Sequence, residues 1–140
     1  MPSFGRWGAG RGPRVMNHGK VVAGKRVLIV EDELMIRMLL EGMLTDLGHS
    51  VAAEAGGLDE AIALAKQAEF DLAVLDVNLN GIPVTPVVEI LIARGVPFIF
   101  ASGYGQRGLP EAYRTAPILQ KPFQVDALEE AIQAVANTAS

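Results

Sequence analysis

A carboxylate ends the apolar run Leu72-Ala73-Val74-Leu75-Asp76, and the loop of residues 77–81 follows at once. A run that is apolar throughout, without alternation, is typical of a parallel strand covered by helices on both faces. A carboxylate at the end of such a strand costs free energy unless it is paired, binds a metal or reacts. The run therefore predicts a central strand of an α/β fold, and Asp76 is the first candidate functional residue.

Three other apolar runs end on polar side chains in the same way. These are Glu31 and Asp32 after residues 27–30, Ser102 after residues 96–101, and Lys121 after residues 117–120. In an open α/β sheet the carboxyl ends of the strands lie at one edge, and ligands bind there. We therefore expect the two acids, the hydroxyl and the amine to converge on Asp76.

Helix signals alternate with these strands. Residues 33–47 place apolar side chains at helical spacing, and Gly48 follows, as is typical of a helix end. The side chains predicted to face the core are Ile36, Leu39, Leu40, Met43, Leu44 and Leu47. Residues 51–53 predict a short second strand.

Three further helices follow. Asp59 is the predicted N-cap of the second helix. Thr85 as N-cap, with Pro86 at the first helical position, predicts a third helix that ends before Gly95. Residues 124–137 predict a last amphipathic helix.

Five βα units with right-handed crossovers imply an open parallel sheet with helices on both faces. The unit after the fourth strand is irregular, because only residues 109–115 remain free to form a helix. The residues that interrupt it are Gly103, Gly105, Gly108 and Pro110. We therefore expect a short or irregular fourth helix.

The composition limits the kinds of site that this chain can form. The 140 residues fit one domain, and half of them are hydrophobic. The chain has no cysteine and two distant histidines, which argues against disulfides and zinc. The sequence has no apolar run of membrane-spanning length and no apolar core of a secretory signal, so we expect a cytoplasmic protein without a membrane partner.

Charge divides the chain unevenly. Residues 1–24 carry four basic and no acidic side chains, whereas residues 25–140 carry eight basic and sixteen acidic ones. We expect residues 1–24, which are rich in glycine, to be a disordered basic extension, or upstream sequence before a start at Met16, or a functional arm. The acidic body argues against nucleic acid as the partner of the folded domain.

The predicted pocket has a definite chemistry. Crowded carboxylates repel one another unless a cation neutralises them. An acidic pocket without histidine or cysteine suits Mg²⁺. A lysine and a hydroxyl beside it supply charge neutralisation and a hydrogen-bond donor for a phosphoryl group. A carboxylate in such a pocket can be the nucleophile that forms an aspartyl phosphate.

A second motif, the G-x-G-x-x-G of residues 103–108, matches the dinucleotide-binding fingerprint only in its letters. That fingerprint belongs in the first βα unit, with an acid at the end of the second strand about 20 residues later. Here the motif follows the fourth strand, and the acids at that distance lie in the last helix. We therefore do not expect nicotinamide or flavin binding.

In combination, the four strand ends resemble the receiver domain of bacterial two-component response regulators. The matching segments, in chain order, are residues 27–33, residues 75–79 with Gly81, Ser102, and Lys121-Pro122-Phe123. The resemblance covers about residues 25–138. It implies a flavodoxin-like (βα)5 fold, a doubly wound parallel sheet of strand order 2-1-3-4-5. It also implies that residues 25–140 are a receiver domain with no output domain.

The resemblance implies a role for each residue of the pocket that would handle a phosphoryl group. Asp76 would be the phosphoacceptor. Lys121 would pair with the phosphoryl oxygens, and Ser102 would donate its hydroxyl to one of them. The family often has a cis peptide between the lysine and the following proline, here Pro122, but the sequence leaves the isomer open.

The same resemblance implies a magnesium site. Asp32 and Asp76 would be direct ligands, and Glu31 would bind the metal or a water on it. The backbone carbonyl of Asn78 would complete the share of the coordination that comes from the protein.

Two positions depart from the usual family pattern. The family often has Tyr or Phe three residues before the lysine, where this chain has Ile118. The segment Phe100-Ala101-Ser102-Gly103-Tyr104 is similar to a subgroup with an atypical fourth helix. We therefore name Tyr104 and Ile118 as candidate residues for gating or switching.

The resemblance implies a signalling module rather than an enzyme. Its phosphodonor would be a histidine kinase or a histidine phosphotransfer protein, and its output would go to a downstream protein in trans, or it would be a phosphate sink or relay. It would be a monomer or a phosphorylation-dependent dimer. Two alternatives remain: a pseudo-receiver that binds partners without phosphorylation, and a haloacid-dehalogenase-like phosphatase, which would need an acid where this chain has Asn78.

Overall fold

The computed structural model of the protein describes residues 14–15, 21–22, 24–103, 111–113 and 116–138. Tyr104, most of the glycine-rich segment that follows it, and most of the N-terminal extension lie outside the described residues. Within the described part of the chain, no helix has the length and apolar composition that crossing a membrane requires.

Five parallel strands form one sheet. They are β1 (Arg26–Val30), β2 (Ser50–Ala55), β3 (Leu72–Asp76), β4 (Phe98–Ser102) and β5 (Ile118–Gln120). The strands lie in the order β2-β1-β3-β4-β5, and each neighbouring pair is parallel. This confirms the predicted order 2-1-3-4-5 and places β3, with Asp76 at its end, in the middle of the sheet.

Among the described residues, four α-helices cover both faces of the sheet. They are α1 (Leu34–Asp46), α2 (Leu58–Gln67), α3 (Thr85–Arg94) and α4 (Val125–Thr138). Side chains alternate along β1, so that Leu28 and Val30 pack with α2 and α3. Val27 and Ile29 pack on the opposite face with α1 and α4. The continuous apolar runs therefore reflect strands that are buried on both faces.

Two helix starts differ from the predicted caps. Asp59 lies inside the first turn of α2, and the side chain that reaches back is Glu60, which accepts a hydrogen bond from the Gly56 N–H at 3.2 Å. Thr85 is already the first residue of α3, and Val84 precedes it as N-cap. The Val84 N–H donates to the Val77 carbonyl, so the preceding loop fixes the helix boundary one residue earlier than predicted.

The buried face of α1 is narrower than the periodicity predicts. Leu40 and Leu44 of the helix are buried, and so is Leu47 just after it, but Leu39 is 43% exposed. It lies on an outward apolar face with the exposed residues Leu34, Met35 and Met38. Gly48 has a φ of 90°, which confirms it as the predicted helix end.

The connection from β4 to β5 contains no α-helix within the described residues. A single 3-10 turn, Glu111–Tyr113, is described there, in agreement with a short fourth helix. In the N-terminal extension, Arg14–Val15 pairs antiparallel with Val21–Val22, an element that the sequence pattern did not predict. For the rest of that extension, disorder stays a prediction.

Candidate phosphoacceptor site

The structure brings the predicted acids, the serine and the lysine together at the carboxyl edge of the sheet. Asp76 is the last residue of β3 and pairs in register with Ala101 of β4. Ser102 ends β4, and its carbonyl accepts a hydrogen bond of 3.0 Å from the N–H of Lys121, directly after β5. Glu31 follows β1, and its N–H donates to the carbonyl at the end of β2. Adjacent strand ends therefore bring four separate parts of the chain to one place.

The acids form a tight cluster with one cation beside it. Glu31, Asp32 and Asp76 each offer a carboxylate oxygen, and these oxygens lie within 4.8 Å of one another. Lys121 Nζ lies 2.9 Å from Glu31 Oε1 and 3.5 Å from Asp76 Oδ2. The lysine is thus closer to Glu31 than to the predicted phosphoacceptor.

The buried Glu31 Oε1 is an important detail of this cluster. Glu31 is 1% exposed, and within the described part of the chain this oxygen makes no hydrogen bond of good geometry, so its contact with Lys121 is an ion pair only. The Lys121 ammonium balances the charge of this buried carboxylate, and the oxygen keeps lone-pair capacity for a further ligand. A hard divalent cation that takes oxygen ligands fits this set of donors.

Backbone N–H groups hold one oxygen of each carboxylate. Glu31 Oε2 accepts from the Glu33 N–H at 3.0 Å, and Asp76 Oδ1 accepts from the Asn78 N–H at 3.3 Å. Asp32 Oδ2 accepts from the Asn80 N–H at 3.2 Å. The carboxylates are therefore oriented before any ligand arrives.

The sequence prediction missed Asn80, although its signal was present. Residues 78–79 pair antiparallel with residues 82–83, and the turn between them is Asn80-Gly81, with φ values of 51° and 85°. Asn-Gly is the dipeptide most typical of such a tight hairpin, because both residues adopt positive φ at low cost. This hairpin brings the loop after β3 to the acid pair after β1.

Burial and neighbouring charges shift the pKa values of the cluster in different directions. Burial raises the pKa of Glu31 and of Asp76 above their usual values, and the Lys121 charge only partly offsets it. Burial also acts to raise the pKa of Asp32, but its interaction with the neighbouring Glu31 carboxyl group and the hydrogen bond from the Asn80 N–H outweigh it, so that pKa is lowered. For Lys121, burial is outweighed by Glu31 and Asp76, and its pKa is raised.

These shifts predict that Asp76→Asn stabilises the metal-free protein at neutral pH. A raised folded-state pKa means that the carboxyl group contributes stability below its unfolded pKa and loses it as the pH rises through the folded pKa. The stability gain of the variant should therefore be small near pH 4 and grow as the pH rises. Thermal melts of both proteins without metal, over a pH series, measure this. An Asn variant that is less stable than wild type at pH 7 would contradict it.

The other predicted residues that the structure describes do not belong to the cluster of acids and lysine. Asn78 is exposed and reaches the cluster through its N–H. Ile118 is half-buried in β5 and pairs in register with Phe100. The Lys121–Pro122 bond is cis. Tyr104 lies outside the described residues, so its gating role stays a prediction.

Two contacts near the site were not predicted. Arg37 of α1 donates to the Glu31 carbonyl and pairs with Glu54 of β2. Tyr113 of the 3-10 turn places its ring 5.9 Å from that of Phe100, so an aromatic ring does contact β4, although not from position 118. Neither residue stands at a strand end, and the strand-end pattern therefore could not identify them.

Comparisons with known proteins identify relatives of this chain. The family model of the response regulator receiver domain matches residues 27–133. The transcriptional regulatory protein PdtaR of Mycobacterium tuberculosis is 38% identical over 115 residues, which cover 78% of this chain and 55% of PdtaR. The chain thus spans about half the length of that relative. The chemotaxis protein CheY of Thermotoga maritima is 34% identical over 121 residues, covering 81% of this chain and 99% of CheY.

Solved structures share this fold. The solution structure of SdrG from Sphingomonas melonis Fr1 has a TM-score of 0.74 at 38% identity and covers 81% of this chain and 97% of SdrG. The solution structure of SdrG in its BeF3-activated conformation has a TM-score of 0.68 at 40% identity, with coverages of 78% and 93%. The chain therefore belongs to the response regulator receiver domain family.

Proposed function

We propose that this chain is a phosphorylation-controlled signalling domain that accepts a phosphoryl group on Asp76. The observation that carries the proposal is the position of the Asp76 carboxylate, which ends a buried strand beside two further carboxylates and 3.5 Å from the Lys121 ammonium. Membership of the receiver family supports it.

The proposed reaction is a transfer from phosphohistidine. The Asp76 Oδ–P bond forms as the P–N bond of the donor breaks, and the electron pair of that bond stays on the imidazole nitrogen. Lys121 neutralises charge on the phosphoryl oxygens, and the Ser102 hydroxyl donates to one of them after transfer. The Asn78 N–H keeps Oδ1 of Asp76 oriented, and Oδ2, which lies 3.5 Å from the Lys121 ammonium, is the proposed nucleophile.

The donor set of the pocket fits Mg²⁺. We propose that Asp32 and Asp76 bind the ion, that Glu31 binds it directly or through a water, and that the Asn78 carbonyl contributes a ligand. When bound, Mg²⁺ supplies positive charge that offsets the repulsion among three carboxylates and an incoming phosphoryl group.

The proposed partners follow from this chemistry. A histidine kinase or a histidine phosphotransfer protein would supply the phosphoryl group. Phosphorylation would then shift the population between two conformations of the domain, and a downstream protein would bind one of them in preference. Transfer of the phosphoryl group onward, or its loss to water, would make the chain a relay or a sink.

The two alternatives have less support. A haloacid-dehalogenase-like phosphatase needs a second acid at position 78, and here the side chain is an exposed amide whose backbone holds Asp76. A pseudo-receiver would not need a complete set of acids, hydroxyl and lysine at the strand ends.

The test is the intact mass of the protein after incubation with acetyl phosphate. We expect wild type to gain the mass of one phosphoryl group in the presence of Mg²⁺ and not in the presence of EDTA. Asp76→Asn should gain none under either condition, because the amide is not a nucleophile for this transfer. Glu111→Gln, which changes an exposed acid of the 3-10 turn, is the matched control and should behave as wild type.

Two outcomes would overturn the proposal: a wild-type protein that gains no phosphoryl group with Mg²⁺ present, which favours a pseudo-receiver, or an adduct that persists in Asp76→Asn. Steady turnover of a phosphate ester such as p-nitrophenyl phosphate would instead favour the phosphatase.

A further inference from the structure

Arg37 connects the loop that carries the acid pair to the neighbouring strand. It lies in α1, and its side chain turns back toward the start of the helix. Its Nη1 donates to the Glu31 carbonyl at 2.6 Å, and its Nε lies 3.3 Å from Glu54 Oε1, near the end of β2. Both side chains of this ion pair are mostly shielded, with exposed fractions of 19% and 28%. The contact is therefore screened less by water than a surface pair would be.

The peptide units around Glu31 are held from several sides. The Glu31 N–H donates to the Ala55 carbonyl at 3.0 Å, and the Glu31 carbonyl accepts the charged donor of Arg37. The Glu31 carboxylate itself accepts from the Glu33 N–H. Because the Glu31 carbonyl belongs to the peptide bond that leads to Asp32, fixing that carbonyl fixes the direction in which the next side chain leaves the backbone. Charge-assisted hydrogen bonds are well suited to this, since they are stronger than neutral ones.

The space beside Gly56 agrees with this position of the guanidinium. A Cβ at Gly56 would lie 2.7 Å from Arg37 Nη1, and the backbone of Gly56 has no left-handed conformation that would demand glycine. The absent side chain after β2 thus leaves the space that the guanidinium fills.

We propose that Arg37 is a positioning residue that sets Glu31 and Asp32 for a divalent cation by tying their loop to the end of β2. The inference rests on the proposed magnesium site and adds a residue that touches none of the reacting atoms. Arginine suits the role because its planar fork serves the carbonyl and the carboxylate at once, whereas a lysine ammonium is a single point charge.

The experiment is a titration of Mg²⁺ into the full chain by isothermal titration calorimetry, with thermal melts of the same variants in EDTA. We expect Arg37→Met to weaken Mg²⁺ binding about tenfold, the low end of what is typical when a residue that orients metal ligands is lost. Arg37→Lys should recover only part of the loss. Gly56→Ala should also weaken Mg²⁺ binding, because the new methyl group displaces the guanidinium of Arg37. This variant changes the position of the guanidinium but keeps its charge in the protein.

The matched control is Arg26→Met. Arg26 also pairs with an acid, Asp71, at 3.2 Å, but at the opposite end of β1. This variant should bind Mg²⁺ as wild type does, even if its melting temperature falls.

The outcomes separate the two proposals. If wild type binds Mg²⁺, and Arg37→Met and Gly56→Ala bind it equally well while melting at lower temperature, Arg37 is merely structural and this inference is wrong. If wild type binds no Mg²⁺, the proposed magnesium site itself fails, and the role of Arg37 toward that cation fails with it.

Discussion

The Lys121→Met variant is expected to accept a phosphoryl group from acetyl phosphate on the order of 10²-fold more slowly than wild type, at saturating Mg²⁺. Lys121 Nζ lies 3.5 Å from Asp76 Oδ2, so its charge is already at the place where phosphoryl oxygens would gather negative charge. Methionine keeps an unbranched side chain of similar length and removes the charge. The measurement is the rate of adduct formation by intact mass.

The same variant should bind Mg²⁺ more tightly. The ammonium lies 2.9 Å from Glu31 Oε1, an oxygen that the proposed Mg²⁺ site would also use, so it would compete with the ion for that oxygen. Its loss also leaves the buried Glu31 carboxylate without a counter-charge, which is strongly destabilising in protein interiors. We therefore expect the melting temperature of Lys121→Met to fall in EDTA and to recover with Mg²⁺ by more than that of wild type.

Lys66→Met is the control, because Lys66 is an exposed lysine in the last turn of α2. It should leave the phosphorylation rate and the Mg²⁺ affinity unchanged. A Lys121→Met protein that is phosphorylated within a factor of about two of the wild-type rate would show that this charge does not assist the transfer. Slow phosphorylation combined with weaker Mg²⁺ binding would contradict the competition for Glu31.

The sequence was sufficient to predict the fold because both faces of the central strands are buried, along β1 from Val27 onward and along all of β3. In β1, Val27 and Ile29 pack on one face and Leu28 and Val30 on the other, which leaves no polar position in the run. Such runs cannot be mistaken for amphipathic surface strands. The handedness of parallel crossovers then limits the topologies, and the resemblance to receiver domains selected the order that the structure confirms.

The helix ends were harder to predict, since several nearby side chains could accept a hydrogen bond from the N–H groups at the start of a helix. Asp59 and Glu60 both stand near the start of α2, and the side chain that reaches an N–H in front of the helix is the longer one. The periodicity of α1 likewise counts Leu39 as a core residue, but Leu39 is 43% exposed, whereas Leu40 and Leu44 are buried. A pattern records which residues are apolar and does not record how wide a face the neighbouring layer can cover.

The site was predictable as a set of residues, whereas its internal contacts were not. Strand ends predicted that Glu31, Asp32, Asp76, Ser102 and Lys121 would converge. The closer contact of the lysine with Glu31 depends on differences of less than 1 Å, between 2.9 and 3.5 Å, which side-chain packing decides. Arg37 reaches the site from a helix and joins the loop after β1 to strand β2, so the pattern of polar residues after apolar runs does not reveal it.

The largest expected effect on stability is that of Phe100→Ala, which should lower the free energy of unfolding by about 3–5 kcal/mol. Phe100 is 1% exposed and is a large, fully buried side chain of β4. Its ring makes an edge contact with Phe98 at 5.4 Å between centroids and a tilted contact with Tyr113 at 5.9 Å. Its backbone lies between Leu75 of β3 and Ile118 of β5, so strands on both sides hold the cavity open. Urea titrations followed by circular dichroism measure the loss.

Ile92→Ala is the matched control, because Ile92 is apolar but 56% exposed on α3. This substitution should lower the free energy of unfolding by no more than about 0.5 kcal/mol. The free energy of unfolding of a domain of this size is about 5–15 kcal/mol, so the Phe100→Ala variant should remain folded only at low urea concentrations. In that range it should still be phosphorylated on Asp76, since the backbone register of Asp76 with Ala101 does not depend on the ring. A cost below about 1 kcal/mol would mean that the ring is not packed as described. Loss of phosphorylation in the folded variant would mean that the core, and not only the strand ends, orients the site.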